Sequence, residues 1–183
     1  MLDLFQKGPN RRVGSRYLLR TTLSSGRISA VYRAEDAEHP GTEYAVKEFS
    51  AVAMFRSDER RALDSRFHAT VNRWRNLEHP ALPRILDVFS AGESYYVVSE
   101  YVRGWSMERI IAEGRVRVTP HLAANWGAQV ADLLEYLHGQ DPALYTPFLS
   151  PGHVIVDAQG QVHLVDWGLT HLFLPTANQA YGS

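Results

Sequence analysis

A chain of 183 residues can form one domain or two small lobes, and 45% apolar with 21% charged residues is the balance of a globular protein with a core to bury. Nineteen Lys and Arg against twenty Asp and Glu leave a formal charge of -1, so no global field favours nucleic acid or an anionic membrane, and any partner is recognised locally. The chain has no cysteine, which excludes disulfides, thiolate metal sites and cysteine nucleophiles. No apolar run approaches the ~20 residues of a membrane span and no signal-peptide order opens the chain, so the expected location is cytoplasmic.

Residues 1–16 carry Gly8, Pro9, Asn10, Arg11, Arg12 and Gly14, a mixture that punctuates more than it packs, and they read as an N-terminal tail. From Tyr17 the pattern predicts three strands, "YLLRTTL", "ISAVYRAED" and "EYAVKEFS", separated by turns at "SSGR" and "AEHPGT", as in an antiparallel meander. Asp58 to Leu77 favour helix, with Phe67, Val71, Trp74 and Leu77 recurring on one face, and "EHPALP" stops it. "RILDVFS" and "SYYVVSEYV" follow as strands around an Ala-Gly turn. "GWSMERIIAEG" reads as a short helix. Thr119 is an N-cap with Pro120 at the first helical position, and a helix to His138 aligns Leu122, Trp126, Val130, Leu133 and Leu137. "FLSPGHVIVDAQGQVHLVDWGL" then predicts two short strands, the second ending in Asp166-Trp167-Gly168.

Strand alternation places Lys47 beside Ala45 and Phe49, so an ammonium sits on an apolar face where leaving it unpaired would cost several kcal/mol. It calls for an anion. Asp166 ends an apolar strand next to a backbone reversal; alone it would be an ordinary turn aspartate.

In this order the segments resemble a eukaryotic-type (Ser/Thr) protein kinase domain. "LSSGRISAVYRA" is similar to the glycine-rich nucleotide loop, "YAVKEF" to the strand of the phosphate-binding lysine, and "YYVVSEYVRGWSM" to the fifth strand and hinge. "FLSPGHVIVD" and "VHLVDWGL" resemble the catalytic loop and the metal-binding Asp-Phe-Gly strand. The resemblance implies an α+β protein kinase-like fold: a five-stranded antiparallel N-lobe sheet with one long helix over residues 17–102, then a hinge and truncated helical C-lobe over 103–183. It implies nucleotide-binding roles for Gly26, Val31, Ala45, Lys47, Ser99, Glu100, Val102 and Asp166. Of the loop's three glycine positions, Ser24, Gly26 and Ser29, only Gly26 is glycine, and Thr70 stands where the family pairs its lysine with a glutamate.

Aligned through Pro151, the catalytic aspartate of the family is Phe148, its transition-state lysine is Ser150 and its second-metal asparagine is His153. A phenyl ring accepts no proton, and loss of a positioned base costs about 10²- to 10⁴-fold. No catalytic residue is intact. The resemblance thus implies a catalytically impaired pseudokinase, a nucleotide-capable regulatory or protein-interaction module. ATP with Mg²⁺ or Mn²⁺ is its expected ligand, Asp166 and His153 being the candidate metal ligands. The alternatives are an active Ser/Thr kinase with an altered ATP site and a structural scaffold with a closed cleft. Without the helices that follow in the family, the apolar stripe of residues 120–138 is expected to need the tail, a second copy or a protein partner as cover.

Overall fold

The computed structural model describes residues 8–50, 55, 57–146 and 149–173. The chain divides into two compact units, one drawn from Met1–Asn76, Ile85–Tyr101 and Leu169–Ser183, the other from Leu77–Arg84 and Val102–Gly168. The units are interleaved along the chain, whereas the sequence reading draws one cut after Val102.

The first unit is an antiparallel sheet of six strands: β1 (Arg11–Val13), β2 (Tyr17–Ser25), β3 (Ser29–Asp36), β4 (Glu43–Phe49), β5 (Ile85–Ala91) and β6 (Ser94–Glu100), in the order β1-β2-β3-β4-β6-β5. Alternation in β4 sends Val46 to one face and Phe49 to the other. On the first face Val46 joins Val13, Tyr17, Leu19, Tyr32, Tyr96 and Val98 in one buried cluster. The sheet is curled: Tyr17 on β2 donates to Asp87 Oδ2 on β5 at 3.0 Å and stacks on Phe89, ring centroids 5.9 Å apart. On the second face Phe49 meets Phe67 of helix α1 (Ser57–Arg75) and stacks on Phe173. Leu63, Phe67, Val71 and Trp74 bury the helix stripe at the expected spacing, while Leu77 lies past the helix end and is half-buried.

Residues 8–16 correct the tail reading, and with β1 the sheet has six strands where five are expected. Val13 is buried in the core, and Arg11 reaches Glu48, a carboxylate almost wholly removed from solvent. A buried carboxylate demands a cationic partner, and the tail supplies it. Gly14 makes the turn into β2 at φ 57°, with Phe89 3.3 Å from where a Cβ would stand.

The second unit holds a small antiparallel sheet, β7 (Gly104–Ser106), β8 (Val154–Asp157) and β9 (Val162–Leu164), with helices α2 (Met107–Glu113) and α3 (Pro120–His138). Gly104 to Ser106, expected to open the short helix, pair with β8 instead. Gly104 permits this approach, since a Cβ there would lie 2.3 Å from the Val156 carbonyl oxygen. Ser106 then caps α2 by accepting the Arg109 N–H, and Thr119 caps α3 by accepting the Leu122 N–H. Residues 77–84 belong here because Leu164 N–H donates to the Ala81 carbonyl at 2.8 Å and Glu78 N–H donates to Tyr136 Oη.

The α3 stripe is covered by the chain itself. Trp126 packs with Ile110 of α2 and with Val154, Val156 and Val162 of the sheet, and Leu122 and Val130 lean on the same cluster. Leu133 and Leu137 are fully buried. This corrects the expectation that the stripe waits for outside cover: two short strands, each too small to hold a face alone, find it on α3. Among the described residues no helix is long and apolar enough to cross a membrane.

Candidate functional site

The residues singled out from the sequence fall into two groups, one in each unit. In the first unit the ladder sets Val31 opposite Lys47, Lys47 opposite Val97 and Ala45 opposite Ser99. Directly opposed residues of an antiparallel ladder share a face, so β3, β4 and β6 gather Val31, Ala45, Lys47 and Ser99 on one surface. Val31 and Ala45 are half-buried. Lys47 is only 5% exposed, with its Nζ 5.2 Å from the ring centre of Phe49 on the same strand, the cation–π arrangement that alternation predicts. Glu100 ends β6 opposite Tyr44.

Gly26 sits in the β2–β3 hairpin, its N–H donating to the Ser29 carbonyl at 2.9 Å. Its φ lies outside the left-handed region, and a Cβ would meet nothing nearer than 3.5 Å. The backbone freedom expected of a phosphate-loop glycine is therefore unused at this position. Thr70 is half-buried on α1.

In the second unit Val102 precedes β7 and is half-buried. The loop from Ser150 enters a single 3-10 turn, Pro151–His153, and the Val165 N–H donates to the His153 carbonyl at 2.9 Å. That bond brings His153 beside the Asp-Trp-Gly turn. Asp166 Oδ1 accepts the Gly168 N–H at 2.9 Å, and Gly168, at φ 67°, makes the reversal. Trp167 is buried. Asp166 Oδ2 faces His153 Nε2 at 3.5 Å, and Thr146, Leu149 and Gly168 complete a narrow cleft around the pair.

That 3.5 Å separation can be compared with other histidine–aspartate pairs in the chain. His163 Nε2 meets Asp157 Oδ2 at 2.9 Å and His39 Nδ1 meets Asp36 Oδ2 at 2.9 Å, both ordinary hydrogen bonds. His79 and Asp132 are 3.2 Å apart, and His153 and Asp166 stand wider, as do His68 and Asp64 at 3.6 Å. Two donors bound to one ion at about 2.0–2.2 Å are themselves roughly 3.0–3.5 Å apart, so an imidazole and a carboxylate at this spacing fit a divalent transition metal.

His163 is held by Asp157, the last residue of β8 before the turn into β9. Asp157 Oδ1 also accepts the Gln159 and Gln161 N–H groups. Burial works to raise its pKa, but His163 and those backbone donors outweigh it and hold the carboxyl below its ordinary value. Phe148, aligned with the catalytic aspartate, lies outside the described residues.

Two groupings escaped the sequence reading. Arg11 and Glu48 meet across 37 positions, and the one local sign was that Arg11 and Val13 alternate like a strand. Trp105 carries the other, between two arginines of the following segment; the i, i+4 spacing of Trp105 and Arg109 was its only signal.

The chain matches the protein kinase domain family over residues 17–181. It belongs to that family. This kinase domain is 32% identical over 171 residues to the serine/threonine-protein kinase PkaA of Streptomyces coelicolor, covering 88% of this chain and 31% of that protein. A probable serine/threonine-protein kinase of the same organism is 30% identical over 168 residues, covering 87% and 23% of the two chains. PrkC of Bacillus subtilis is 26% identical over 160 residues, with coverage of 87% and 23%. The solved structure "PpkA-294 apo form" superposes with a TM-score of 0.77 at 14% identity, covering 96% of this chain and 66% of that one, a likeness of fold. The domain thus spans between 23% and 39% of the length of these and similar curated kinases.

Proposed function

We propose that this kinase domain is a catalytically impaired member of its family that binds ATP with a divalent cation and acts as a regulatory or protein-interaction module. One observation carries the reading. Among the described residues the cleft at Asp166 is lined by Thr146, Leu149, His153 and Gly168, none of which is a second carboxylate or an amine. By sequence the residue at the base position is Phe148 and the residue at the lysine position is Ser150. Among the described residues a hydroxyl substrate there meets neither the base carboxylate nor the lysine of the family, and the one basic side chain in the lining, the His153 imidazole, is turned toward Asp166 at 3.5 Å as a candidate metal ligand; the two losses act on one transition state. Each factor of ten lost is about 1.4 kcal/mol of barrier.

What remains suits binding. Val31, Ala45 and Ser99 share the face of Lys47, an arrangement that offers apolar contact to a base and a cation to phosphate. Asp166 and His153 would hold the cation, which when bound neutralises phosphate charge; the imidazole favours Mn²⁺ over Mg²⁺. Thr146 and Leu149 flank those ligands.

The test pairs two measurements. Phosphotransfer from labelled ATP to a generic acceptor protein is expected to stay at the background set by Lys47→Ala and Asp166→Ala, while ATP with Mn²⁺ raises the melting temperature. At 100 times its dissociation constant a ligand adds about 2.7 kcal/mol, or roughly 5–11 °C for a chain of this size. Turnover that both substitutions abolish would establish the active-kinase reading instead. Absence of any thermal shift would establish the scaffold, a reading favoured by the burial of Lys47 against Phe49.

A further inference from the structure

Three of the four tryptophans, Trp74, Trp126 and Trp167, are buried; Trp105 is 41% exposed. An exposed indole normally samples several rotamers, but this one is held. The guanidinium of Arg115 lies 3.6 Å from its ring centre and that of Arg109 lies 4.5 Å away. Glu113 ties the two arginines together, accepting Arg109 Nε at 2.8 Å on one oxygen and Arg115 Nε on the other. Each arginine thus spends its Nε on Glu113. The Nη groups of both have no hydrogen-bond partner among the described residues, which leaves paired N–H donors fixed in position beside an aromatic surface.

The surroundings extend the pattern. Ile111, Val116 and Val118 are also exposed, so residues 105–118 hold four of the large apolar side chains open to solvent. Residues 103–118 contain Arg103, Arg109, Arg115 and Arg117 against Glu108 and Glu113, a local charge of +2 in a chain whose total is -1. A nucleic acid would match the charge but would draw on a broad basic surface that this chain lacks. A peptide with both an oxyanion and an apolar side chain matches every part: the guanidinium forks bind the oxyanion, and the indole and valines take the side chain.

We propose that Trp105 with the Arg109–Glu113–Arg115 triad is the docking site for an acidic or phosphorylated peptide segment of a partner protein, carrying an apolar residue beside its oxyanion. This names the partner class for the interaction role proposed above and rests on that part of it alone. The fixed indole and shared Glu113 lower the ordering cost of binding.

The full chain is titrated with short synthetic peptides of one apolar framework, bearing glutamate, phosphoserine or glutamine at the same positions, while tryptophan emission is followed. With the other three indoles buried, the solvent-exposed emission belongs to Trp105. Glutamate or phosphoserine peptide is expected to bind at least about tenfold more tightly than the glutamine peptide, since hydrogen bonds between ionised partners are roughly twice as strong as neutral ones. The preference is expected to fall with added salt. The better of the two acidic peptides identifies the oxyanion. R109E combined with R115E is expected to abolish the preference, and Trp105→Ala to weaken all binding with unchanged circular dichroism. Equal binding of the glutamine peptide, or acidic-peptide binding undiminished by the double charge reversal, overturns the proposal. Neither outcome touches the ATP-dependent melting shift, so the two readings fail separately.

Discussion

Replacing Arg11 by methionine keeps an apolar stem against Tyr32 and removes the charge that meets Glu48. The Glu48 side chain is 1% exposed and that of Arg11 20%. Breaking a buried pair by removing one partner costs about 3–5 kcal/mol, because the remaining charge stays desolvated. Here Glu48 keeps the Tyr96 hydroxyl as a donor at 2.8 Å, and Arg11 is itself partly wet. Both facts move the expected loss below that range, to about 2–3 kcal/mol. In urea unfolding the midpoint falls without a change of slope, and the melting temperature drops by roughly 4–12 °C. The double variant Arg11→Met with Glu48→Met removes both charges and is expected to regain most of the loss, since replacing a buried pair by apolar groups is often neutral. A single variant within about 0.5 kcal/mol of the parent, or a double variant whose losses simply add, refutes the view that the N-terminal segment is held by this charge.

Acid stability follows from Asp36. The Arg16 guanidinium holds its carboxyl well below the usual carboxylate range, against the effect of burial, with the Glu38 N–H and His39 adding to the pull. A depressed folded pKa contributes stability above the ordinary carboxylate pKa and loses it as pH falls toward the folded value, so Asp36→Asn is expected to flatten the decline of melting temperature below about pH 4. Leu137→Ala, at a fully buried position of α3, is expected to cost about 2–5 kcal/mol in urea unfolding. The two loop glycines should part company: Gly168→Ala, at φ 67°, costs roughly 1–2 kcal/mol, whereas Gly26→Ala stays within about 0.5 kcal/mol. Burial, with Asp64 adding to it, pushes the Tyr95 hydroxyl up to about 12, so spectrophotometric titration is expected to find it still neutral where exposed tyrosines have ionised.

The helices were legible because their signals are local. Thr119 and Pro120 announce α3, and the recurrence of Trp126, Leu133 and Leu137 marks its buried side, as Phe67, Val71 and Trp74 do for α1. Gly104 to Ser106 were misread because a helix-forming stretch follows directly, and only the partner strand β8 tells a three-residue strand from a helix start. Residues 8–16 were misread for the same cause: a Gly- and Arg-rich segment looks like a tail until a carboxylate 37 positions away is found buried beneath it.

Composition and periodicity by themselves determined the succession of β2 to β6 with α1 between them, the helix α3, and the placing of Lys47 among apolar neighbours, while the phenyl ring at the position of the family's base is what the resemblance implies. These depend on residue type and on spacing within a few positions, which the chain states directly. Tertiary structure alone decided that β1 completes the sheet, that β8 and β9 cover α3, that His153 stands 3.5 Å from Asp166, and that two arginines grip Trp105. Each is a meeting of groups whose free energy comes from desolvation or charge at contact, and contact between distant positions leaves no period for a sequence to display.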